Sequence, residues 1–123
     1  MENHNFVSGD PFLARIYYEA HEPIVSPIFG IVFYNQDTYC YGTTTEFKSM
    51  DMGQVIGKGH VDFYIQQFPL LEGQFQVTVA LAPPNYEFAY DWHDRLYSFQ
   101  VHKASRDLGI FDMDGNWNWE KYA

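Results

Sequence analysis

Basic charge is scarce in this chain. Seven of its 123 residues are Lys or Arg, against sixteen Asp and Glu, and the formal net charge is −9 at pH 7. Proteins that grip nucleic acid neutralise phosphates with clustered Lys and Arg. DNA, RNA and anionic membrane surfaces are therefore not expected as partners. A strongly anionic ligand is disfavoured on the same ground, unless Arg15, Arg95 and Arg106 meet in space. Long apolar runs are missing too. None approaches the roughly 18 residues of a membrane-spanning helix, so no direct insertion into a bilayer is expected. The single cysteine, Cys40, excludes an internal disulfide and suits a reducing compartment. It lies within Tyr39 to Tyr41 with no base near it in sequence, and it reads as a structural thiol.

Catalytic signatures are also lacking. There is no Gly-x-Ser-x-Gly nucleophile elbow and no Gly-rich loop ending in Lys-Ser/Thr to cradle phosphate. Gly57-Lys58-Gly59 reads as a turn. The five histidines, His4, His21, His60, His93 and His102, show no metal-ligand spacing. Asp112-x-Asp114-Gly115-Asn116 places oxygen ligands at alternate positions, as calcium requires. Its glycine is misplaced for the twelve-residue loop, and Glu120 falls too early. Asp62, Asp91 and Asp94 are available as a glycosidase pair, but solvated surface acids are the simpler reading. The expectation is a protein with no catalytic residue, no metal and no cofactor.

What the chain does have is aromatic and alternating sequence. It is 46% hydrophobic and 20% aromatic, enough for one folded domain of this length. The polar N-terminus shows no basic-then-apolar signal pattern and reads as the cut end of a longer protein. Residues 1–8 are taken as a flexible segment and residues 9–123 as the folded domain. Period-two runs dominate, divided by Gly, Pro, Asn and Asp. Strands are predicted over Leu13–His21, closed by Pro23 and Pro27, then Ile28–Tyr34 and Tyr39–Thr44. Thr45–Lys58 reads as a loop with at most a short edge strand. Gly59–Phe68, Gln74–Ala82 and Leu96–His102 follow as strands, with an aromatic loop at Asn85–Arg95. A terminal hairpin is predicted over Ile110–Trp119 around Asp114-Gly115. No stretch has a helical period. The fold class is all-β, an immunoglobulin-like two-sheet antiparallel sandwich. In Leu70-Leu71-Glu72-Gly73-Gln74-Phe75, Phe75 takes the place of a corner tyrosine, so that corner rests on packing alone.

Alternation assigns sides. Phe75, Val77, Val79, Leu81, Tyr97, Phe99 and Val101 point to the core. Tyr34, Gln76, Thr78, Gln100 and His102 point outward, and the loop adds Tyr90, Asp91 and Trp92. Sugars present flat C–H faces and a rim of hydroxyls, so a sugar site needs exposed rings together with amide, hydroxyl or imidazole groups. The candidate carbohydrate-binding residues are therefore Tyr34, Gln76, Thr78, Gln100 and His102, with Tyr90 and Trp92 as stacking rings. The alternative is a structural dimerisation or protein-interaction module that buries the same aromatics and edge strands between subunits.

Three groups of residues carry a resemblance: Pro27-Ile28-Phe29-Gly30-Ile31 with Tyr41-Gly42-Thr43-Thr44-Thr45; Leu71 to Leu81; and Tyr90-Asp91, Phe99-Gln100-Val101, Gly109 and a terminal Trp. Over roughly Gly9 to Trp119 the chain resembles the C-terminal domain of Wzt, the ATP-binding subunit of ABC exporters of bacterial O-antigen polysaccharide. Thr44 stands where that family usually has Asn, and Phe75 where it has Tyr. The resemblance implies a homodimer able to exchange edge strands. It also implies a cytoplasmic location at the inner-membrane exporter, beside the nucleotide-binding domains. The ligand it implies is the non-reducing end of the O-antigen polysaccharide. The family's ATPase motifs lie in a preceding domain, so the resemblance implies no hydrolysis by this one.

Overall fold

A computed structural model describes residues 4–122. Seven strands run in chain order: β1 (Asn5–Val7), β2 (Phe12–Val25), β3 (Ile28–Asn35), β4 (Thr38–Thr44), β5 (Gln54–Ile65), β6 (Gly73–Ala82) and β7 (Asp91–His102). They form a five-stranded sheet, β1-β7-β6-β3-β4, and a two-stranded sheet, β2-β5. Every pairing is antiparallel except β1 with β7. No helix occurs among the described residues, so none there is long and apolar enough to cross a membrane. The two sheets make the β-sandwich that the alternating pattern implies.

The sheets are held together by phenylalanine. Phe12 of β2, Phe33 of β3, Phe75 of β6 and Phe99 of β7 are each at most 2% exposed, as is Phe68 just after β5. Phe12 stacks on Phe68 at 4.4 Å with the rings 8° from parallel, and it meets Phe33 and Phe99 at 5.8 and 5.7 Å. Phe75 stacks on Phe99, so the corner that lacks a tyrosine hydroxyl is anchored by ring packing. Val77 and Val101 complete the cluster. Phe68 reaches the core although β5 ends at Ile65. Its amide donates to the Asp10 carbonyl and its carbonyl accepts from Gly9, which folds the turn inward.

The structure departs from the sequence reading in five places. β2 does not close at His21 but continues through Pro23 to Val25. A register shift between Ala20 and Ile24 leaves Pro23 where no ladder amide is required. β5 begins at Gln54, inside the expected loop, because the extended β2 offers it a partner. β7 begins at Asp91, inside the expected aromatic loop. There a bulge sets the pairs Val77–Tyr97 and Val79–His93 on either side of extra β7 residues, which hides the alternation. Asn5–Val7, within the segment read as flexible, lies beside Gln100–His102 as β1. Finally, the hairpin at Ile110–Trp119 does not form. Its single sheet contact is a bridge from Phe111 to Leu70. The Asp112 carboxylate accepts from the Asp114 amide at 2.7 Å, so the local turn is satisfied without a second strand.

Phe12→Ala would remove the ring that both sheets share. It is expected to cost about 3–5 kcal/mol, a large share of the roughly 5–15 kcal/mol by which domains are stable. Urea unfolding followed by circular dichroism would measure this, and a loss below about 1 kcal/mol would contradict the role given to the cluster.

Candidate functional site

Cross-strand register builds the outer face of the five-stranded sheet. Gln76 of β6 lies between Tyr34 of β3 and Ser98 of β7, and Tyr34 in turn faces Tyr39 of β4. One row further along, Gln74 faces Gln100, which faces Asn5 of β1. In the other direction Thr78 faces Val32, and Ala80 lies between Gly30 and Trp92. Alternation keeps Val77 and Phe99 inside, at 2% and 1% exposure. Aromatic and amide groups are thereby left on the other side.

Five of the predicted residues occupy this face in accessible form. Tyr34, Gln76 and Gln100 are half-buried, and His102 and Trp92 are exposed. Thr78 lies on the same side but is only 2% exposed. It was expected to meet a ligand and instead is spent on the fold. Its hydroxyl donates to Asp94 at 3.1 Å and accepts the Arg95 amide at 2.8 Å, which pins the β7 bulge. Tyr90 is not on the face either. It lines a cleft between the sheets, with Phe88 packed edge-on against it at 5.1 Å. The bulge separates these two rings: Trp92 joins the sheet while Tyr90 stays in the loop.

Sequence reading missed three contributors to the face. Arg95, placed in a loop by its lack of periodicity, lays its guanidinium over the Tyr34 ring, 4.1 Å from the centroid. Tyr39 is 61% exposed and meets Tyr34 edge-on at 5.5 Å. A register shift between Phe33 and Tyr34 puts these two tyrosines opposite one another, which strict alternation does not foresee. Gly42 gives Tyr39 its place, since a Cβ there would collide with the Tyr39 hydroxyl. One polar atom is unsatisfied: Gln76 Oε1 is buried with no hydrogen-bond partner. It is the only such side-chain atom among the described residues, and buried acceptors are rarely left so.

The cleft between the sheets has a volume of about 510 Å³. Apolar walls come from Ile16, Tyr18, Ile31, Val79 and Leu81, and a polar trio stands on β7. His93 shares a 2.6 Å hydrogen bond with the Tyr97 hydroxyl and a 3.1 Å bond with Asp91. The candidate carboxylates are dispersed. Asp91 holds His93, Asp94 accepts from Thr78, and Asp62 lies on the two-stranded sheet. There Arg15 donates to both Asp62 oxygens, at 2.8 and 3.1 Å, and holds the carboxyl below its usual range. No group of three His, Cys, Asp or Glu able to hold a metal occurs among the described residues. Burial pushes the Cys40 thiol up, away from the reactive thiolate. Tyr86 donates to Glu46 at 2.6 Å, tying the loop after β6 to the loop after β4 and raising the phenol.

Comparison with known proteins agrees with this fold. Residues 1–113 match the family described as the Wzt C-terminal domain. The crystal structure of the C-terminal domain of Wzt superposes with a TM-score of 0.77 at 16% sequence identity. The match covers 94% of this chain and 74% of that one, and at such identity it establishes a shared fold. No curated protein matches the chain.

Thr78→Val keeps the shape and removes the hydroxyl, leaving the Arg95 amide and Asp94 without their partner. The expected cost is about 1–3 kcal/mol, with faster amide exchange at Arg95. Unfolding curves and hydrogen exchange would check it. Unchanged exchange at Arg95 would mean that Thr78 does not hold the bulge.

Proposed function

We propose, on the premise that this chain belongs to the Wzt C-terminal domain family, that it recognises a carbohydrate and performs no chemistry of its own. The ligand in this reading is the non-reducing end of an O-antigen polysaccharide awaiting export. The domain would act in the cytoplasm, beside the nucleotide-binding domains of an ABC exporter in the inner membrane. The observation that carries the reading is the outer sheet face, where Trp92, Tyr39 and Tyr34 stand beside Gln76, Gln100 and His102. Trp92 is 60% exposed and offers a flat surface to the C–H face of a sugar ring. Half-buried Gln76 and Gln100 bring side-chain amides to the same face, where ring hydroxyls need partners. The engagement of Asp62, Asp91 and Asp94 in separate contacts supports binding over hydrolysis.

Titration calorimetry with the cognate O-polysaccharide tests this. Trp92→Ala and Gln76→Ala are each expected to weaken binding about tenfold, the scale of one lost stacking or hydrogen-bond contact. Absence of heat with the cognate glycan would overturn the reading, as would full affinity in both variants.

A second reading concerns assembly and is favoured by the C-terminal segment. Phe111, Met113, Trp117 and Trp119 recur with period two and are 56%, 84%, 102% and 83% exposed. Beyond the bridge from Phe111 to Leu70, this strand pattern has no strand partner among the described residues. β2 pairs only with β5, so its other edge lies open along the inter-sheet cleft. In a homodimer, the segment from one copy would lie along β2 of the other and bury its aromatics in that cleft. Light scattering should find the intact chain dimeric and a chain ending at Asp112 monomeric. A monomeric intact chain at high micromolar concentration would dismiss the exchange.

A further inference from the structure

The outer face carries a cation that the composition makes conspicuous. Of the seven Lys and Arg residues, Arg15 and Lys58 lie on the two-stranded sheet, while Lys48, Lys103, Arg106 and Lys121 lie outside the strands. Only Arg95 stands on the five-stranded sheet, and it is built into place. The bulge at Val77/Val79 gives it a left-handed backbone, φ 51°, which a residue with a side chain adopts only when its surroundings hold it there. The buried Thr78 hydroxyl does so by accepting its amide at 2.8 Å. The side chain is thereby turned back over the sheet and onto the Tyr34 ring.

The charge around Arg95 is only loosely answered. Its Nη1 donates to Asp37 at 3.2 Å, but Asp37 is fully exposed at the tip of the β3-β4 turn. Asp94 is 4.0 Å from Nε, beyond hydrogen-bond length. Exposed pairs of this kind contribute little and are readily exchanged. An incoming carboxylate can engage the guanidinium fork with two hydrogen bonds, a geometry that no described partner of Arg95 satisfies. The face therefore carries one cation whose fork is open to a carboxylate.

We infer that Arg95 sets the specificity of this face, selecting a glycan residue that carries a carboxylate, as a uronic acid does. The inference rests on the carbohydrate-binding reading and narrows its ligand. The carboxylate replaces Asp37 on the guanidinium. Arg95 also caps the Tyr34 ring, so a neutral sugar cannot stack there without displacing it. Since Arg15 and Arg106 lie elsewhere, one carboxylate is matched and a polyanion is not.

The test is an array carrying neutral and uronate-bearing oligosaccharides on matched backbones, probed with the intact chain, Arg95→Ala and Arg95→Gln. The intact chain should favour uronate-bearing members about tenfold, an advantage that shrinks as salt is raised. Both variants should lose that preference while still capturing neutral members, with circular dichroism confirming that they fold. Equal capture of neutral and uronate-bearing glycans by the intact chain overturns the inference and leaves the glycan-binding reading standing. A preference that survives in both variants also overturns it. Capture of no glycan at all removes both.

Discussion

The contact between Phe12 and Phe68 is the constraint from which the rest of the molecule follows. Two nearly parallel rings, 4.4 Å apart, lie where the two-stranded sheet crosses the larger one. Around them Phe33, Phe75 and Phe99 close a core that holds together without a disulfide. In a strand each inward ring dictates which way its neighbours point. Burying Phe75, Val77 and Phe99 therefore commits Gln76, Ser98 and Gln100 to the other side. The surface offered to a ligand is the complement of the core, specified by the same residues.

A second layer of organisation comes from irregularities in the sheet. The bulge opposite Val77 and Val79 sends Trp92 to the sheet face and leaves Tyr90 in the cleft. It also turns Arg95 back across Tyr34. Thr78 secures it with two hydrogen bonds made below the surface. A smaller slip beside Phe33 brings Tyr39 opposite Tyr34, with its hydroxyl end lying over Gly42. These defects in the ladder, more than its regular parts, give the face its chemical character.

The two faces of the larger sheet differ in how completely they are used. The two-stranded sheet is too narrow to cover the whole inner face, and a cleft remains where β2 has no second neighbour. A free strand edge beside an apolar cleft is a surface on which proteins recruit another strand. The aromatic, alternating C-terminal segment has the composition for that task. The outer face, with its amides and exposed rings, has the composition for a hydroxyl-rich ligand. Membership of the Wzt C-terminal domain family is compatible with both.

By itself the sequence determined the fold class and, for β6 and the end of β7, which residues enter the core and which point away from it; Phe12 and Phe68 gained their place only from the tertiary fold. Period-two alternation is a local property, legible wherever the ladder is regular, as at Gln74–Ala82 and Leu96–His102. Gln76 and Gln100 were placed correctly on that basis. The family could be read from short motifs for the same reason, since those motifs are strands and corners. Tertiary structure alone decided the rest. Pro23 inside β2 and the start of β7 at Asp91 depend on which partner strand lies alongside. The burial of Thr78, the separation of Tyr90 from Trp92 and the stacking of Arg95 on Tyr34 all follow from one bulge. A bulge is a relation between two strands distant in the chain. Its energy comes from contacts across the sheet, and residues read one after another do not reveal it.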